Sequence, residues 1–156
     1  MSTPENYFDR AVLNTNTLVG FANDGLQREL DQPSMKMVNG DKDHPVQMKR
    51  REIMDNKIRF LEEDMGKLNG LKETDDTREM LQTSKALNEY VLAVYKNEYQ
   101  QLAKLYDDIA DKDQVQSLIQ SIHDKYYAGF DELYKKLIAI GKSYAEKHSI
   151  KVNWAN

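Results

Sequence analysis

The stretch EYVLAVYKNEYQQLAKLYDDIA, Glu89 to Ala110, decides the fold, because its apolar residues recur with the period of a helix. With Val91 at zero on a wheel of about 100° per residue, Leu87, Val94, Leu102, Leu105 and Ile109 fall within about 60° of it. That arc is expected to face a core. Tyr95, Tyr99 and Tyr106 lie on one flank, about 40° to 80° away, and Tyr90 lies on the other. A tyrosine at the border of a helix seam buries its ring while its hydroxyl reaches water or a polar group of a neighbour. The tyrosines are therefore expected at the edge of the packed core. The sharper alternative is an aromatic ladder of Tyr95, Tyr99 and Tyr106 with Tyr127 or Tyr134 from the next helix, forming a groove for a glycan or peptide. Glu98 falls about 20° from the centre of the same arc. An ionised carboxylate there must be paired or hydrated, since burying it alone is costly. Lys57, which with Asp64 projects near the middle of the preceding helix's apolar face, is the candidate counter-ion. Glu98 then marks either a buried pair that fixes register or a polar pocket inside the protein.

Punctuation on either side of this stretch sets the other elements. Asp76 with Glu79 makes a capping-box-like start, so the helix is expected from there to about Ala110. Asp113 with Gln116 repeats the signal for the last helix, which carries Val115, Ile119, Ile122, Tyr126, Phe130, Leu133, Leu137, Ile140 and Tyr144 on one stripe. The short link makes these two helices antiparallel neighbours. Thr3-Pro4 reads as an N-cap followed by proline at the first helical position, and the first helix is expected to run to about Gln32, stopped by Pro33. Its face holds Phe8, Val12, Thr15, Val19, Ala22, Leu26 and Leu30, with Gly20 and Gly25 as places for close approach. Residues 33–44 are expected as an irregular connection with a turn at Asn39-Gly40. His44-Pro45 is expected to open the second helix, which buries Ile53, Met54, Phe60, Leu61, Met65 and Leu68 and ends at Asn69-Gly70-Leu71 with a left-handed glycine. Trp154 in the tail is expected to dock on the helices. The sum is one all-α domain over residues 1–156, a four-helix bundle of up-down-up-down topology with a long connection between helices 1 and 2. No strand signal competes.

Bulk properties narrow the function classes. The chain has 156 residues, no cysteine and a formal net charge of -4. Without cysteine there is no disulfide, thiolate catalysis or Cys-based metal site. The acidic balance argues against a nucleic-acid partner, which requires a basic stripe. The run Lys49-Arg50-Arg51 is followed at once by Glu52 and reads as a solvated helix face. No apolar run reaches the length of a membrane span. The three histidines lack the Glu-x-x-His spacing of di-iron bundles, with Gln120 three positions before His123 and Ala145 before His148. "NGDKDH" is not an EF-hand loop. Ser84, Ser117, Ser121, Ser143 and Ser149 stand in helical contexts without a nucleophile elbow. No metal, cofactor or catalytic residue is expected.

The late helices LNEYVLAVYKNEYQQLAKLYDDI and IHDKYYAGFDELYKKLIAIGKSYAEKH, followed by a short tail, resemble those of uncharacterised exported helical-bundle proteins of bacteria, many of them lipoprotein-like. The resemblance covers the C-terminal half. It implies a periplasmic or cell-surface setting and a binding or structural part, with a leader lying outside this sequence and Met1 and Ser2 as its remnant. The leading expectation is a non-enzymatic envelope protein that binds a protein partner, or a second copy of itself, through a helix face or through Met35, Met37 and Val38. Those three apolar residues either cap the bundle or form a contact patch. The alternatives are a cytoplasmic dimerising adaptor and, least expected, a bundle that takes a small ligand near Glu98.

Overall fold

The computed structural model describes residues 2–32 and 34–154. The expected stop at Pro33 and the Met1 remnant lie outside the described residues. The chain is helix-dominated, and the two late helices stand where the periodicity places them. The Glu89–Ala110 stretch belongs to one long rod made of α4 (Arg78–Val94), a π-helical turn (Tyr95–Tyr99) and α5 (Gln100–Asp107). It packs against α6 (Lys112–Lys147), which at 36 residues is about 54 Å long. The α6 stripe is buried or half-buried throughout. Capping differs in detail. The α6 cap is Asp111, whose carboxylate accepts the Asp113 N–H at 3.3 Å, and α4 starts after Thr77 with no side-chain cap. Asp76 bonds to the end of α6 instead.

The expectation of a single first helix is corrected. Thr3 does cap it, accepting the Asn6 N–H at 3.1 Å. However, α1 (Pro4–Ala11) gives way to a 3-10 turn over Leu13–Leu18, a reversal, and α2 (Asp24–Asp31). The cause is the run Asn14-Thr15-Asn16-Thr17, whose hydroxyls compete for backbone carbonyls. Thr15 donates to Val12 O, and Thr17 donates to Asn14 O at 3.0 Å. The carbonyl of Ala11 then receives the buried Ser84 hydroxyl of α4 at 2.6 Å. Gly20 adopts a left-handed φ of 96°, and the chain folds so tightly that a Cβ on Gly25 would lie 2.8 Å from the Gly20 Cα. The two glycines thus allow the chain to approach itself rather than a second helix. Six of the seven residues expected on the buried face remain buried, but Val19 turns outward at 69% exposure. Leu18 and Phe21, off the expected stripe, take its place in the core.

An all-α description is also corrected. Residues 34–44, the described part of the expected irregular connection, do not form one: β1 (Met35–Val38) and β2 (Asp41–Gln47) pair as an antiparallel hairpin. Asn39 and Gly40, with φ of 56° and 74°, are both left-handed, the geometry of the tight turn whose twist suits a hairpin. Register shifts from Lys36↔Val46 to Val38↔Asp41, so residues 42–45 bulge on the β2 side. His44 and Pro45 lie in that irregularity, where the missing proline N–H costs no ladder bond. They do not open a helix. Instead α3 (Arg50–Asn69) begins five residues later, where the Asp107 carboxylate of the distant α5 accepts the Arg50 N–H at 2.7 Å and the Arg51 N–H at 3.1 Å. Arg50 meanwhile donates from Nε to Leu30 O at 2.9 Å, closing the end of α2. The basic run is therefore structural at two of its three positions. At the other end of α3 Gly70 has a φ of -75°, so it is not left-handed, although the helix stops there as expected.

The N-terminal segment completes the helical layer over the rods, with α1 against α3, α4 and α6 and α2 against α5. Trp154 docks as expected, edge-on to Phe8 with ring centroids 5.8 Å apart. Among the described residues no helix is long and apolar enough to cross a membrane.

Gly25→Ala and Gly66→Ala separate backbone crowding from helix propensity. A methyl added at Gly66, inside α3, would meet nothing within 4 Å, so alanine there is expected to stabilise by about 0.5–1 kcal/mol. Gly25→Ala is expected to lose about 1–3 kcal/mol despite the same propensity gain, because the new methyl meets backbone. Urea denaturation of the two variants measures both.

Candidate functional site

The π turn governs where the candidate residues point. Five residues spent where an α-helix spends about four advance the phase by one position, about 100°. Tyr95 and Tyr99, expected on the flank, become core residues, and Ala103 is fully buried. Glu98, expected near the centre of the core arc, is only half-buried. Ile109, expected within the core arc, lies beyond the end of α5 at 91% exposure.

Both tyrosines close on Phe21, which the break in the first helix drives into the rods. The Phe21 ring centroid is 6.1 Å from Tyr95, 5.8 Å from Tyr99 and 5.0 Å from Phe130. Ala22, held at a left-handed φ of 54°, donates its N–H to the Tyr99 hydroxyl at 2.8 Å, and its carbonyl lies 2.8 Å from His123 Nδ1. Burial pushes the Tyr99 phenol up to about 12. Tyr106 is separate: its hydroxyl donates to Asp31 at 2.5 Å, beside the Arg50 that closes α2. Tyr127 stacks on His123, and Tyr134 stacks on Phe130. The structure does not bring Tyr95, Tyr99, Tyr106, Tyr127 and Tyr134 into one open groove.

Nor does it pair Lys57 with Glu98. Lys57 reaches Glu29 of α2 at 2.9 Å. The Glu98 carboxylate instead faces Tyr126 of α6 and, through a hydrogen bond, raises that phenol above its ordinary range. Desolvation raises the Asp64 carboxyl likewise.

What does converge is a cavity of about 500 Å³ between the 3-10 turn, α2, the base of the hairpin and α3. Leu18, Met48, Ile53, Phe60 and Leu61 supply apolar wall. Lys57, Glu29 and Tyr95 are among its polar lining groups. Phe60, expected in the core, is 53% exposed because it forms this wall. Sequence reasoning picks out Lys57 and Tyr95 but misses Glu29 and Phe21. The signal for Phe21 is a large aromatic side chain off the helical stripe and next to Gly20.

Met35 and Met37 are neither capped nor buried. They are 56% and 55% exposed, and with Val38 and Val46 they give the hairpin a half-apolar surface. The hairpin is tethered rather than loose. Lys36 pairs with Glu52 of α3, and the Met48 N–H donates to Ser34 O at 2.6 Å across its base. At the other end of the molecule, Asp76 binds Lys147 and His148 at 2.5 and 2.6 Å, which ties the start of α4 to the end of α6. These hydrogen bonds hold the Asp76 carboxyl below its usual 3.8. Among the described residues no group of three or more histidine, aspartate or glutamate side chains converges.

Tyr99→Phe leaves the buried Ala22 N–H without a partner and is expected to cost about 1–3 kcal/mol in denaturant unfolding. Asp76 contributes stability that is full above its unfolded value and is lost as pH falls through the lower folded one. Melting temperatures followed from about pH 5 to pH 2.5 are therefore expected to fall less steeply for Asp76→Asn than for the unsubstituted chain.

No family model, curated protein or solved structure matches the chain.

Proposed function

We propose that the chain is a non-enzymatic binding protein whose contact surface is the hairpin. A single observation carries this reading: Met35, Met37, Val38 and Val46 stand 40–56% exposed on a two-stranded sheet tied to a rigid helix. Every residue of β2 is exposed as well. Both strands are edges, each with unpaired backbone groups along its outer side, and such edges are templates for a partner strand. Methionines suit this use, since their flexible thioethers adapt to varied apolar partners. The occupant is a protein segment that adds a strand and covers the methionines.

In this reading the rods form a four-helix bundle in which the broken N-terminal segment fills the first position. The bundle is the scaffold, and the hairpin is its insertion between positions one and two. A cell-envelope setting belongs to the same proposal and rests on the resemblance of the two late helices alone. It is supported if fractionation of the native cell recovers the protein outside the cytoplasm.

The hairpin is tested by placing a photo-crosslinking phenylalanine analogue at position 37 and, as control, at exposed Lys104 of α5, in the native cell. A discrete heavier adduct from position 37 and none from position 104 is expected. Substituting Val38 and Val46 by serine is expected to remove it. No adduct, or the same adducts from both positions, contradicts a hairpin contact surface.

A further inference from the structure

We propose that the cavity between α2, α3 and the hairpin base binds an uncharged, mainly apolar small molecule that carries one hydrogen-bond-accepting oxygen. This site is distinct from the hairpin surface and does not depend on it. Three observations define the ligand.

The first is size and lining. About 500 Å³ falls within the range that holds a small organic ligand. Leu18, Met48, Ile53, Phe60 and Leu61 give most of the wall an apolar character. Phe60 is the telling member. Its neighbours on the α3 face, Ile53 and Leu61, are buried at 8% and 3% exposure, while Phe60 stays 53% exposed at the cavity. A ligand beneath it would cover a ring that the chain itself leaves open.

The second is an unspent donor. Tyr95 is 4% exposed, yet among the described residues its hydroxyl has no hydrogen-bond partner, unlike those of Tyr7, Tyr90, Tyr99 and Tyr106. No fully enclosed side-chain oxygen or nitrogen goes unpaired among the described residues, so this hydroxyl keeps access to the cavity that it lines. Burial pushes the phenol's pKa above its ordinary value, which keeps the hydroxyl protonated and a donor. A donor that faces the cavity without a protein partner is open to an acceptor oxygen on a ligand.

The third is charge. The cavity's two charged groups, Lys57 and Glu29, neutralise one another at 2.9 Å. An ionic ligand finds no unmatched counter-charge here, because each member of the pair already has the other. A neutral ester, ketone or alcohol needs none. Such a molecule lies with its chain along Leu18 and Leu61 and its oxygen on Tyr95.

The test uses the whole chain with N-phenyl-1-naphthylamine, a neutral fluorophore that brightens in apolar sites, displaced by methyl decanoate, decanoate or decyltrimethylammonium. Saturable binding of one dye per chain is expected, with methyl decanoate displacing it at a concentration at least about tenfold below either charged competitor. Tyr95→Phe keeps the ring and is expected to weaken methyl decanoate about threefold to tenfold when its heat of binding is titrated directly. Asn56→Trp, at an exposed position of the rim, is expected to abolish binding of both dye and methyl decanoate without altering the melting temperature. Absence of saturable dye binding and of heat on titrating methyl decanoate overturns the proposal. So does equal displacement by the charged competitors, or a Tyr95→Phe variant with no loss. A dimer in light scattering that Asn56→Trp disperses would assign the cavity to a second copy and also overturn it.

Discussion

The rest of the structure depends on the Phe21 ring entering the rods. Its contacts with Tyr90, Tyr95, Tyr99 and Phe130 draw the N-terminal segment, α4 and α6 into one aromatic core. Aromatic pairs at centroid separations of about 5 to 6 Å add to the large apolar area each ring buries. That gain sets the helix break against the backbone bonds a continuous first helix would have made. The left-handed Ala22 is part of the same exchange, since its unfavourable backbone is secured by Tyr99 on one side and His123 on the other.

The π turn is the counterpart of this insertion. With ordinary α-helical phase, Tyr95 and Tyr99 would sit at the rim and Glu98 would face the core. One extra residue in the turn rotates the tyrosines toward Phe21 and moves the carboxylate out to Tyr126. It also leaves the Tyr95 hydroxyl lining the cavity. The buried charge that unbroken periodicity demands disappears through a change of helical register, without a counter-ion. Lys57 is thereby left to Glu29, and the pair forms the neutral polar wall of the cavity.

The long helices were legible because α6 and the α4–α5 rod repeat apolar residues over many turns, so packing and periodicity agree. Thr3-Pro4 and Asn39-Gly40 were legible because their backbone geometry is local. What escaped the sequence depends on distant partners or on unmarked changes of phase. Asp107 caps a helix 57 residues away, and no spacing rule connects the two. The hairpin was hidden because its second strand, DKDHPVQ, is polar, contains proline and buries nothing, so it lacks the alternation that marks a half-buried strand. The methionines were recognised as unusual, but whether they cap the core or face outward depends on pairing that their own composition does not encode. For the candidate site, Lys57 and Tyr95 stood out as polar groups near an apolar face. Their meeting place required the break at residues 12–23, which the continuous stripe Phe8, Val12, Thr15, Val19, Ala22, Leu26 and Leu30 disguised.

Nuclear Overhauser measurements on the isotopically labelled protein test the Phe21 insertion most directly. Contacts from the Phe21 ring protons to Tyr95, Tyr99 and Phe130 are expected, together with an interruption of helical sequential contacts between residues 12 and 23. An unbroken helical pattern from Pro4 through Leu30, with the Phe21 ring in water, would contradict the insertion and with it both the aromatic core and the cavity beside it.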